Sequence, residues 1–161
     1  MRDHFWGGLT GDERLGQICA TSHLGRGTYI LVLRLTKEEK IAVGRLGSFL
    51  FPAGFYLYAG SALGPGGLAA RLARHRRLDK RKCWHIDYLR ACADWVGAYY
   101  SVGQERRECS WARALGSLPG ASLPAPRFGA SDCRCPAHLV HLAYLPDAPL
   151  PGAKWLALGE G

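Results

Sequence analysis

The sequence predicts a small α+β domain, with a central mixed or antiparallel sheet flanked by helices. Three observations lead there. The run Tyr29-Ile30-Leu31-Val32-Leu33 is apolar on both alternating faces, which suits a strand covered on both sides. Strand-like segments come first and helical patterns follow, an order that separates the two kinds of element instead of alternating them. The chain has 161 residues, 48% of them hydrophobic, enough for one domain with a core of its own.

The elements follow in chain order. Residues 1–26 lack clear periodicity and are read as an N-terminal extension. The first strand opens at Gly27 and carries its apolar run to Arg34. Thr36 to Lys40 is a polar turn, and Lys40 to Val43 is expected to pair back antiparallel on the first strand, with a hairpin continuing through Phe49-Leu50-Phe51. Pro52-Ala53-Gly54 breaks the chain. Phe55 to Ala59 is a further strand, with Tyr56 and Tyr58 on one face and Phe55 and Leu57 on the other. A glycine-rich turn, Gly60 to Gly67, leads into a helix from Leu68 to about Leu78, with Leu68, Ala69, Leu72 and Ala73 on one side. Trp84 to Ala93 reads as a second helix, Trp95 to Val102 as a strand, and Arg106 to Leu115 as a third helix. Residues 116–130 hold three of the nine prolines and form a loop. Leu139 to Tyr144 is a late strand. The domain is thus expected over 27–145, with 146–161 a peripheral tail.

Charge narrows the function. Lys and Arg outnumber Asp and Glu by 21 to 13. Arg71, Arg74, Arg76, Arg77, Lys80, Arg81 and Lys82 crowd one segment that contains a single acid, Asp79. A local patch of this kind after a glycine-rich turn suits a surface that meets phosphates, so nucleic acid is the expected partner. A solvated helix face is the plainer alternative. No apolar stretch reaches the roughly 18 residues that a membrane helix needs. The first residues show no apolar core and no cleavage site of a secretory signal. A cytoplasmic location with no membrane partner is therefore expected. The six cysteines are read as reduced thiols, because a chain this long and apolar does not need disulfides.

Several side chains are candidates for chemistry. Tyr29 opens the first strand and Tyr58 closes the later one, so both phenols can lie on one side if those strands are neighbours. A phenol beside cations can orient a water or serve as a base. Arg71 and His75 are one helical turn apart and share a face, where an arginine can fork onto a phosphate oxygen. Arg74, Arg76 and Arg77 are expected to point progressively away and to suit contacts along a phosphate backbone, as do Ser61, Lys80, Arg81 and Lys82. Glu108 lies on the stripe of Trp111, Ala112 and Leu115, and a carboxylate there calls for compensation, for example by a divalent cation. Glu105, one turn earlier, is the competing choice. His85 and Asp87 do not share a helical face, and Asp87 can pair with the arginine helix, cap, or support the site.

These residues and motifs together resemble the GIY-YIG nuclease superfamily. They are Gly27-Thr28-Tyr29, Tyr58-Ala59-Gly60-Ser61, Arg71 with His75, and a later glutamate. Phe55 to Leu63, Trp84 to Leu89, Glu108-Cys109 and Ser131-Asp132-Cys133-x-Cys135-x-x-His138-Leu139 look like one prokaryotic branch of unknown function filed beside those enzymes. The likeness covers roughly residues 25 to 144. It implies an endonuclease acting on DNA by water attack with a single magnesium or manganese ion. Tyr29 would assist deprotonation of the water, Arg71 would stabilise the phosphorus centre, and Glu108 would hold the metal, with Tyr58 and His75 orienting water or phosphate. Thr28 and Ala59 stand where the family has isoleucine, and the asparagine that often ends its motif set has no counterpart.

Two alternatives accompany this reading. One is a nucleic-acid-binding module that keeps the fold without turnover. The other is a structural or partner-binding domain with a zinc knot at Cys133, Cys135 and His138, Cys109 being a fourth ligand in space. The C-x-C-x-x-H spacing matches paired zinc motifs poorly, so zinc is not expected.

Overall fold

The computed structural model describes residues 24–157. Most of the N-terminal extension, Cys19 included, lies outside them. The chain forms β1 (Gly27–Leu35), β2 (Glu39–Val43), a single 3-10 turn (Gly44–Leu46), β3 (Gly47–Phe51), β4 (Gly54–Ala62), α1 (Gly67–Arg76), α2 (His85–Arg90), β5 (Asp94–Val102), α3 (Glu108–Gly116), β6 (Leu139–Leu142) and β7 (Lys154–Leu156). Five strands make an antiparallel sheet in the order β6-β4-β1-β5-β7, and β2 pairs with β3 in a separate ribbon. The architecture is α+β.

Strand β1 is central because neither of its faces can meet water. Every residue from Gly27 to Leu33 is buried. Its odd-numbered side chains, Tyr29, Leu31 and Leu33, pack with Leu68 and Leu72 of α1 and with Ile86 and Leu89 of α2. Ile30 and Val32 pack on the opposite face with Ala112 and Leu115 of α3. The sheet is therefore the middle of three layers. Each large apolar side chain so buried contributes roughly 1.5–3 kcal/mol. Among the described residues, no helix is long and apolar enough to cross a membrane.

Two sequence expectations are corrected here. Strand β2 does not pair back on β1. The nine-residue strands β4 and β5 occupy both edges of β1, which leaves β2 to pair with β3 alone. Ile41 and Val43 turn inward from this ribbon while Lys40 and Ala42 stay exposed, so it covers the core from one side. The tail is not wholly peripheral either: Lys154–Leu156 adds an edge strand to β5, with the Trp155 ring 4.6 Å from that of Tyr99. Helix α2 ends at Arg90, earlier than its pattern, and a turn follows in which Cys92 and Ala93 both donate to the Leu89 carbonyl.

Candidate functional site

Pairing of β1 with β4 places Tyr29 opposite Gly60 and Leu31 opposite Tyr58. Both phenols thus project from the face that carries α1 and α2. Gly60 is needed where it stands, since a Cβ there would lie 2.4 Å from Tyr29 Oη. The phenol crosses the space a side chain would fill and reaches His75, with Oη 2.6 Å from Nε2. His75 is fully buried among Tyr29, Tyr58 and Trp84, one layer behind the wall.

In front of that layer opens a cleft of about 530 Å³. Tyr29, Tyr58, Ser61, Arg71, Glu108 and Cys109 line it, with Trp84, His85, Arg106, Asp132, Cys133 and His138. Glu105 does not. That residue is largely exposed and pairs with Arg107, whose Nη2 donates to it across 3.2 Å.

The cations divide into two groups. Arg74, expected to point away toward a phosphate backbone, folds inward. Its guanidinium lies 3.7 Å from the centre of the Trp84 ring and forks onto Asp87 through bonds of 2.9 and 2.8 Å. Lys80 Nζ lies 3.4 Å from the same carboxylate and donates to the carbonyls of Arg74 and His75. Asp87 also accepts the N–H groups of Cys83 and Trp84, which caps α2. Both the pairing and the capping open to Asp87 are therefore realised. Burial opposes its charge, but the Arg74 hydrogen bonds and those backbone donors outweigh it and hold the carboxyl well below the usual range. A charge sealed this way serves the fold. Arg71 is different. It lies 4.5 Å from the centre of the Trp84 ring, and among the described residues it has no carboxylate within ion-pairing distance. Arg77, Arg81 and Lys82 are exposed, Lys82 with its amine 5.4 Å from the Tyr88 ring centre.

Burial dominates the other titrations. It lifts the Tyr29 phenol well above its ordinary value, aided by neighbouring Tyr58 and opposed by Arg71. Tyr58 is pushed up to about 12, again by burial first. Both phenols stay protonated at neutral pH. His75 is pushed down to about 3 by burial, with Lys80 adding to the effect, so its ring is neutral. His85 is also lowered by burial, and its Nδ1 accepts the N–H of Gly129 at 2.9 Å. The proton of that neutral ring therefore sits on Nε2. Glu108 is partly buried, has Arg106 3.9 Å from Oε1, and leaves Oε2 without a partner. An unpartnered buried acceptor of this kind costs on the order of 1–3 kcal/mol.

Metal binding takes a different form from the one expected. Glu108 brings a carboxylate with a guanidinium beside it. The side chains that could enclose an ion are Cys109, Cys133, Cys135 and His138, whose ligand atoms all lie within 4.8 Å of one another. Thiolates and imidazole select zinc over magnesium or manganese. The expectation of a hard divalent ion at Glu108, with zinc disfavoured, is corrected accordingly. The poor spacing misled because it covered only the three ligands near one another in sequence.

A family model described as a domain of unknown function, DUF123, matches residues 28–149. The chain belongs to that family. The DUF123 match takes in every residue named on the cleft wall and all four members of the Cys/His group. No curated protein and no solved structure matches the chain. Sequence reasoning passed over Arg106 and Asp132 as wall residues of this DUF123 domain and assigned no role to His85. The available signal was the segment Trp84-His85-Ile86-Asp87, in which a helix start follows directly on the basic stretch.

Proposed function

We propose that this DUF123 protein hydrolyses phosphodiester bonds of nucleic acid, with DNA the expected substrate. One observation carries the reading. Arg71 without a carboxylate partner and Glu108 with an unpartnered buried oxygen share a single cleft with two neutral phenols. Arg71 would fork onto the phosphate oxygens where negative charge develops as water attacks phosphorus. Glu108 would accept the proton of that water as the phosphorus–oxygen bond to the leaving group breaks. Tyr58 and the Nε2–H of His85 would orient the phosphate, and Tyr29 would be held in place by His75. Kinship with the GIY-YIG enzymes is supported by the order of the motifs and by the adjacency of the two tyrosine strands.

A second reading, a binding module without turnover, is favoured by Arg77, Arg81 and Lys82, which stand exposed beside the cleft helix. One screen separates the two, run over single-stranded, duplex and branched DNA with an RNA control. The expected result is cleavage of at least one substrate, falling by about 100-fold or more in Arg71→Ala and Glu108→Gln. Binding that survives Glu108→Gln, with no cleavage by the wild type, would establish the second reading instead.

A further inference from the structure

We infer that Cys109, Cys133, Cys135 and His138 form a closed tetrahedral zinc site that fastens the loop before β6 to the start of α3. The inference does not depend on the cleft being catalytic. Zinc holds thiolate sulfur at roughly 2.3 Å and imidazole nitrogen at about 2.0–2.1 Å, so a tetrahedral site has sulfur–nitrogen edges of roughly 3.6 Å. The protein places Cys133 Sγ 3.3 Å and Cys109 Sγ 3.7 Å from His138 Nε2. Those separations lie on either side of the required edge.

Ordinary thiol packing gives no reason for this convergence. A reduced cysteine behaves as a small apolar side chain with a weak donor. Three of them around one imidazole give up apolar contacts for poor hydrogen bonds. Cys83 and Cys92, by contrast, are exposed and stand apart from the group.

The ligand loop is braced from within. Arg127, at a left-handed φ of 67°, donates to the carbonyls of Cys135 and Cys133 at 2.6 Å and of Ala130 at 2.5 Å. His138 is fixed by backbone bonds on both sides: its N–H donates to Phe128 and its carbonyl accepts from Ala59 of β4. The backbone that carries three ligands is thus held in shape by non-metal contacts. Cys109 arrives from the first turn of α3 and completes the set. Four protein ligands leave no open position for substrate, so the role is structural. Glu108 is the neighbour of Cys109, and the site would hold that stretch of the cleft wall in register with the loop.

The test uses the full chain purified under reducing conditions, with zinc measured by elemental analysis and the site probed by exchange for cobalt(II). Stoichiometric zinc is expected, with a cobalt spectrum showing sulfur-to-metal charge transfer and tetrahedral ligand-field bands. Cys133→Ser and Cys135→Ser should lose the metal, whereas Cys83→Ser and Cys92→Ser should keep it. A wild-type protein that takes up neither metal would overturn the inference, as would metal retained in the Cys133→Ser, Cys135→Ser double variant. If the ligand variants do not fold, the wild-type cobalt spectrum decides: octahedral bands without charge transfer reject the site.

Discussion

A neutral histidine sealed behind a tyrosine makes the fold sensitive to acid. His75 titrates at about 3 in the folded chain, against roughly 6.5 when exposed. Between those values the unfolded chain binds a proton that the folded chain refuses. Stability therefore falls as pH drops from about 6.5 toward 3, by up to about 1.4 kcal/mol per unit, and is unaffected by this group at higher pH. Asp87 works in a lower window. Its carboxyl is held below the ordinary value, so its contribution is present above about pH 4 and is lost only as pH falls further. In His75→Gln the urea midpoint should therefore change much less between pH 6 and 4 than in the wild type; an unchanged slope would refute the assignment. Strand alternation allowed Tyr29 and Tyr58 to share a side once their strands were neighbours, and helical spacing gave Arg71 and His75 a common face. Depth was not legible. Periodicity tells which way a side chain points, but not that one partner sits behind another. That Asp87 could pair with the arginine helix was legible; that it would also draw in Lys80 from beyond that helix was not.

Among the elements, the loop that ends in β6 depends on a single glycine. Gly129 has φ 71°, and a Cβ there would come within 2.7 Å of the Tyr58 ring and 3.1 Å of His138 Cβ. Left-handed backbone alone costs an L-residue roughly 1–2 kcal/mol, and the collision adds to it. Gly129→Ala is expected to destabilise the protein by about 2–4 kcal/mol in denaturant titration, while Gly116→Ala, with nothing near its Cβ position, should change it by under about 1 kcal/mol. The main strands were readable because their apolar runs are long and doubly buried. The partner of β2 was not, since an alternating five-residue strand can pair with either of two neighbours and only the occupied edges of β1 decide. Strand β7 escaped because three residues in a Pro- and Gly-rich tail are too few to show alternation.

At the scale of the whole molecule, the surplus of positive charge is less available than the composition implies. Arg74 and Lys80 are committed to Asp87, and Arg90 donates to the carbonyls of His75, Ala93 and Arg76. Neutralising the exposed trio Arg77, Arg81 and Lys82 should flatten the salt dependence of nucleic-acid binding, lowering the log–log slope by about three for duplex DNA. Arg74→Gln should act on stability instead. Equal slopes for the trio variant and the wild type would remove the basic segment from the interface. The cleft itself draws its walls from Tyr29 through His138, across both flanks of the sheet. Since those walls meet only when the strands and helices between Tyr29 and His138 have packed, any small compound that settles there is linked by mass action to unfolding of the domain. A melting-point screen of phosphate-bearing fragments would thus search for the natural ligand without presuming a reaction.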